Sequence, residues 1–186
     1  MTSTTTEFDT LTGTYAIDAA HSRIGFVARH AMVTKVRGSF NDFEGTAVLD
    51  GLDVSKSTVT VTAKVASIDT RNEQRDTHLR TNDFFDAEQF PELTFTSTSI
   101  TQVGGNDFEV VGDLSIKGVT KSVTFPLEFQ GAATDPFGND RIGFEGSTQI
   151  LRSDYGVSFN APLETGGVLV SDKVTLDLEI SAIKSA

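Results

Sequence analysis

The chain contains no cysteine and no tryptophan, and only three histidines, two tyrosines and four prolines among its 186 residues. Without cysteine, a disulfide scaffold, a thiolate zinc site and a cysteine nucleophile are all excluded. Cations are also scarce. Fifteen Lys and Arg stand against 26 Asp and Glu, a net charge of -11, so a protein held to nucleic acid by phosphate contacts is not expected. No apolar run reaches the ~20 residues that a membrane-crossing helix needs. The opening stretch, MTSTTTEFDTLTG, has neither the basic region nor the apolar region of a secretory signal. It reads as a flexible tail over residues 1–12 ahead of one domain at 13–186, and the expected location is cytoplasmic unless a leader has been removed.

Phenylalanine is abundant, with 14 copies beside the two tyrosines, so most large rings carry no polar handle and suit a core or an oily ligand. Apolar residues recur with period two, the signature of half-buried strands. Ile24, Phe26, Ala28 and His30 share one face, and Arg23, Val27 and Arg29 the other. Val59, Val61, Ala63 and Val65 alternate with threonines and Lys64, and Leu93 and Phe95 alternate with Thr94, Thr96 and Thr98. Val174, Leu176, Leu178 and Ile180 oppose Lys173, Thr175, Asp177 and Glu179. Similar stretches lie at Phe43–Leu49, Phe108–Ile116, Val123–Phe129 and Ile142–Ile150, with a shorter one at Tyr15–Ile17, which makes eight or nine strands.

Glycine-rich connections at 104–107, 118–120 and 136–139 fit hairpin loops. A meander of such hairpins predicts an all-β fold and favours a closed antiparallel eight-stranded barrel over a sandwich. Pro126 inside a strand should sit at a bulge or a weakly paired edge. Two segments break the rhythm. Between Ser67 and Glu92, Asn72 can cap a short helix through Leu79, and Asp83 a second from Phe84 to Phe90, stopped by Pro91. Residues 152–172 form a loop with Gly166 and Gly167 as a pivot. Leu79, Phe84, Phe85, Phe90 and Phe159 could then form a lid over one opening, or the two segments could simply rest on the barrel wall.

The inward faces include many small residues: Ala28, Gly45, Ala47, Ala63, Ser97, Gly112, Gly146 and Thr148. They favour a hollow barrel with room for one small ligand, although glycines that bend strands for closure need no cavity. Residues 19–40 carry Arg23, Arg29, Lys35 and Arg37 and no acid. His30, Lys35 and Arg37 fall at a strand end and in the turn beyond it, where they could meet an anionic or carbonyl head group. Chance charge on a solvated loop is the competing reading. Lys117 and Lys121 form a second such pair.

Catalytic signatures are thin. His21, His30 and His78, even with Asp18, Glu73 and Asp76, do not show metal-ligand spacing, and no metal is expected. His21 and Ser22 are adjacent on a strand and face opposite ways, so a buried, hydrogen-bonded His21 is expected. Asp76 and His78 could form an acid–base dyad or a network that fixes the lid helix. No phosphate-cradling loop, nucleophile elbow or dinucleotide fingerprint is present.

Three blocks resemble the YceI-like polyisoprenoid-binding proteins: AIDAAHSRIGFVARH followed by GSFNDFEG; SIDTRNEQRDTHLRTNDFFDAEQFPELTF; and GDLSIKGVTKSVTF. The resemblance implies a lipocalin-like barrel with a short helical lid insertion, whose apolar interior holds a polyprenyl chain or an isoprenoid-quinone tail without catalysis. No cofactor other than the lipid is implied. The expected ligand contacts are Phe26, Ala28, His30, Val61, Ala63, Phe84, Phe85, Phe95, Leu114, Ile116, Phe125, Leu127, Phe144, Phe159, Leu176 and Leu178. Head-group candidates are His30, Lys35, Arg37, Asp76 and His78. Transient membrane contact and a homodimer stay open. So do two other readings: a lipocalin-like hydrolase or isomerase working through Asp76 and His78, and a stress-response module with a filled barrel.

Overall fold

Strand-forming alternation runs through most of the chain, and the computed structural model, which describes residues 8–31, 33–160 and 170–185, turns it into eleven strands. These are β1 (Gly13–Ile17), β2 (Arg23–His30), β3 (Thr34–Phe40), β4 (Phe43–Leu49), β5 (Thr58–Lys64), β6 (Ile68–Asp69), β7 (Glu92–Gly104), β8 (Asp107–Ile116), β9 (Val119–Thr134), β10 (Asp140–Leu151) and β11 (Lys173–Lys184). Eight close a ring in the order β1, β4, β5, β7, β8, β9, β10, β11 and back to β1. Every pairing is antiparallel. The closed eight-stranded barrel expected from the periodicity is therefore present. β2 continues past β1 along the same edge of β11 and carries β3 and then β6 as a side branch.

β3 is a correction. Lys35 and Arg37, expected in a turn, sit mid-strand, paired with Arg29 and Val27. Their inward neighbours are Val36, Gly38 and Phe40, so only one large apolar side chain marks the buried face. Lys117–Gly118 closes a two-residue hairpin with both φ positive, at 51° and 77°, the geometry that matches strand twist. Pro126 pairs with Glu109 of β8, one residue beyond the end of the β9–β10 ladder at Leu127. There that ladder asks no hydrogen bond of the missing N–H.

The insertion holds one described helix, α1 (Glu73–Leu79), whose first turn is capped by Asn72 accepting from the Arg75 amide at 2.9 Å. The second helix expected at 84–90 is absent, and that stretch is a series of turns. Asp83, its expected cap, instead places its carboxylate 2.8 Å from His78 Nε2, and Asp86 adopts φ 51°, which interrupts a right-handed helix. Residues 8–11 of the expected tail also differ. Phe8 is buried, with its ring edge-on to Phe108 and Phe129 at 5.5 and 5.4 Å. Gly166 and Gly167 lie outside the described residues. No described helix is long and apolar enough to cross a membrane.

Near the β9–β10 hairpin, Arg141 joins two segments. Its Nε donates to Asp135 and its Nη1 to Asp18, each at 2.7 Å. These bonds hold both carboxyls below the usual carboxylate range, with Arg141 the leading cause in each case. A depressed carboxyl stabilises the fold above its unfolded pKa of about 4, and that contribution disappears as pH falls through the lower folded value. Arg141→Met should therefore lose stability relative to wild type at neutral pH, and the gap should narrow steadily below about pH 4. Denaturant titrations across that range check this; a gap that stays constant down to pH 2 contradicts it.

Candidate ligand-binding site

The inward positions of the ring strands and of β2 leave a cavity of about 300 Å³ along the barrel interior, within the range of roughly 300–1,000 Å³ typical of small-molecule sites. β2 supplies Ile24, Phe26 and Ala28; β5 supplies Val59, Val61 and Ala63; β7 supplies Leu93 and Phe95. Phe108, Val110, Leu114 and Ile116 come from β8, and Phe125 and Leu127 from β9. Ile142, Phe144 and Ile150 of β10 and alternate residues of β11, including Leu176 and Leu178, complete the wall. Phe26, Val61, Phe95, Phe144, Leu176 and Leu178 remain only half-buried, because the hollow lies in front of them where a filled core would supply packing partners.

Small residues contribute in two ways. Ala28, Ala47 and Ala63 line the hollow. Several glycines instead seat a neighbour: a Cβ on Gly38 would meet Phe26 Cζ at 2.3 Å, and one on Gly112 would meet Phe95 Cζ at 2.4 Å. These two glycines let the far ends of phenylalanine rings rest against the adjacent strand, so they create apolar wall rather than open space.

One end of the cavity is covered by the insertion through Leu79, Phe84 and Phe85, and by Tyr155, Val157 and Val170. Phe8, Leu11 and Val54 line it towards the other end. The few polar side chains in the wall are mostly committed. Asp50 accepts the Leu52 and Asp53 amides, and Ser57 accepts the Asp50 amide. Arg152, only 7% exposed, donates Nε to the Ser171 carbonyl, Nη1 to those of Val157 and Phe159, and Nη2 to that of Val170. Burial pushes its guanidinium below the ordinary arginine value. Tyr155 is 2% exposed, and burial raises its phenol to about 12.

Of the sixteen expected ligand contacts, Phe26, Ala28, Val61, Ala63, Phe84, Phe85, Phe95, Leu114, Ile116, Phe125, Leu127, Phe144, Leu176 and Leu178 lie in the cavity wall. The other two do not. Phe159 sits behind the wall, its ring 5.0 Å from His78 and 5.2 Å from Phe84. His30 lies one pleat beyond Ala28 and lines a separate polar recess with Lys35 and Arg37.

Of the two readings of Asp76 and His78, the structure shows local contacts that fix the insertion and no dyad. Asp76 is buried and accepts from the Thr70 amide and hydroxyl at 2.9 and 2.5 Å, whereas His78 turns to Asp83. Positions i and i+2 on a helix do not face each other. Neither residue is part of the cavity wall, so neither meets the hollow as a head-group contact. His21 is hydrogen-bonded as expected, its partner being Asp18 at 2.7 Å, but it is exposed, not buried. Among the described residues, no three His, Asp or Glu side chains gather as a metal site.

Phe8, Leu11, Arg152, Tyr155 and Val157 also belong to the cavity wall, without a sequence pattern that marks them. Phe8 and Leu11 lie in a polar segment with no strand pattern. Arg152 carries a charge that sequence alone would place in solvent.

Comparison with known proteins places this geometry among relatives. A model of the YceI-like domain matches residues 15–182. A UPF0312 protein of Staphylococcus aureus is 40% identical over 164 residues, covering 88% of this chain and 93% of its own. The crystal structure of Burkholderia cenocepacia BcnA is similar with a TM-score of 0.78 and 27% identity, over 89% of this chain and 98% of that one. A Campylobacter jejuni YceI protein matches at 0.73 and 30%, over 85% and 90%. A polyisoprenoid binding domain from Saccharophagus degradans shares the fold at 0.70 with 17% identity, over 92% and 98%.

Proposed function

The chain belongs to the YceI-like domain family, and from that premise we propose that its barrel binds a long-chain polyisoprenoid lipid, such as a polyprenyl or isoprenoid-quinone tail, and carries or stores it unchanged. The observation that carries this reading is the continuous cavity walled by Phe, Leu, Ile, Val and Ala, with its polar side chains largely committed elsewhere. An isoprenoid asks for apolar contact and few hydrogen bonds, and apolar cavities stay dry and accept such guests. The fold shared with the Saccharophagus polyisoprenoid binding domain supports the same ligand class. The separation of Asp76 from His78 removes the pair on which the hydrolase or isomerase reading rested.

The energetics favour exchange over trapping. At about 0.8 kcal/mol per buried methylene, a long chain would sum beyond the ceiling of roughly 18–21 kcal/mol for non-covalent binding. Ordering the flexible chain takes back part of that gain. A bilayer offers the same ligand an equally apolar environment, so the net preference for the barrel is modest, which suits a carrier or store.

Thermal unfolding with geranylgeraniol tests the proposal. A ligand at 100 times its Kd stabilises by about 2.7 kcal/mol, which for a chain of this size raises Tm by roughly 5–10 °C. An unchanged Tm, with no binding detected by equilibrium dialysis, would count against it.

A further inference from the structure

Beside the cavity lies a polar recess of about 390 Å³, lined by His30, Lys35, Arg37, Arg71 and Arg75 together with Thr34, Val36 and Thr70, and by no acidic residue. In a chain of net charge -11, four permanent cations and an imidazole share one depression. Among the described residues, the side chains of Lys35, Arg37 and Arg71 make no hydrogen bond or ion pair. The neighbouring acids do not line the recess. Asp76 is buried against Thr70, Asp69 takes the Asn41 amide group and the Arg71 amide, and Glu73 is exposed on α1. Like charges gathered in one recess repel, and a bound anion would relieve that repulsion.

The recess is also built. Arg75 donates Nε to the Thr70 hydroxyl and Nη2 to the Thr70 carbonyl, both at 2.7 Å. Thr70 is itself fixed by Asp76, and both are buried. Arg71 adopts φ 63°, an uncommon conformation for a residue with a side chain. Val36 and His30 in the recess wall share the cavity-facing side of β3 and β2 with Ala28, while Lys35 and Arg37 alternate to the other side, so the recess borders the cavity at the edge of β3.

We propose that this recess is an anion site for a phosphoryl group, positioned to hold the phosphate or diphosphate head of a prenyl chain whose tail lies in the barrel. This rests on the lipid reading of the barrel for its tail, but not for the anion site itself. Several guanidinium forks and an ammonium match a multiply charged phosphoryl oxyanion better than a neutral quinone carbonyl, since charge-assisted bidentate bonds are the stronger ones.

Three probes test this with the full chain: geranylgeranyl diphosphate, geranylgeraniol and inorganic pyrophosphate, each titrated against wild type and an Arg37→Ala/Arg71→Ala variant. Both substituted residues are exposed, so folding should be retained. Wild type should bind the diphosphate at least about ten-fold tighter than the alcohol at low salt, a preference that shrinks as ionic strength rises. The variant should lose that preference while its affinity for geranylgeraniol stays the same. A charge-matched Lys56→Ala/Lys173→Ala variant should keep the preference, and pyrophosphate should compete it away. Equal affinity for the two lipids in wild type, or a preference that survives in the Arg37/Arg71 variant, overturns the anion site and leaves the barrel reading standing. Binding of pyrophosphate that requires Arg37 and Arg71, with no binding of geranylgeraniol, upholds the anion site for free phosphate and overturns the lipid reading.

Discussion

Replacing Arg152 with methionine should destabilise the protein by about 3–5 kcal/mol, the cost of stranding several buried carbonyl acceptors at about 1–3 kcal/mol each. At roughly 2–4 °C per kcal/mol for a chain of this size, Tm should fall by about 6–20 °C. Four backbone carbonyls, those of Val157, Phe159, Val170 and Ser171, accept from this one guanidinium. It therefore joins residues 157–159 to residues 170–171 across one end of the cavity. Methionine fills similar volume but donates nothing, so the carbonyls of Val157, Phe159 and Ser171 lose this donor out of reach of full hydration, while that of Val170 keeps Asn160 Nδ2 at 2.8 Å. Lysine should rescue poorly, because an ammonium cannot span the same fan of acceptors. Denaturant unfolding measures the loss. Amide exchange should accelerate around residues 153–160, a local signature that a general drop in stability would not give. A loss below about 1 kcal/mol would show that the network is not holding this end closed.

The second large effect concerns the cavity itself. Phe95→Asp should lower affinity for geranylgeraniol by at least about 100-fold, because an ionised carboxylate facing an apolar hollow is left without a partner. The same change removes the Phe95 ring from its seat on Gly112 and from its edge-on contact with Phe125 at 5.3 Å, so it also weakens the fold. Ala28→Phe separates the two effects. Ala28 is half-buried and faces the hollow, so a ring there occupies ligand space. Affinity should fall as strongly while Tm holds or rises, since filling a void recovers lost contacts. If Ala28→Phe binds as wild type does, the ligand does not occupy this part of the hollow.

The barrel was legible in the sequence where one face is continuously apolar. Val174, Leu176, Leu178 and Ile180 of β11, and Val59, Val61 and Ala63 of β5, announce both the strand and the side that faces the cavity, because the period of two maps directly onto the pleat. β3 was hidden because Gly38 replaces a marker side chain in order to seat the Phe26 ring, while Lys35 and Arg37 suggest a solvated turn. The helix expected at 84–90 failed because Asp83 is claimed by His78, a partner that local capping rules do not see.

The recess divides along the same line. His30, Lys35 and Arg37 stand out as a basic island without acids, but Arg71 and Arg75 join them only because β6 pairs with the far end of β3 and returns the chain to that edge. Arg152 has no sequence signal at all. Its burial depends on carbonyls up to nineteen positions away, and such long-range backbone acceptors leave no trace in local pattern.

The most direct test of the hollow barrel is mass spectrometry of an organic extract from natively purified, folded protein. The account predicts an isoprenoid recovered with the protein in an amount approaching one chain per barrel, and re-uptake of a polyprenol by the extracted, refolded barrel. Folded protein that is repeatedly free of lipid and also rejects added polyprenol would contradict it.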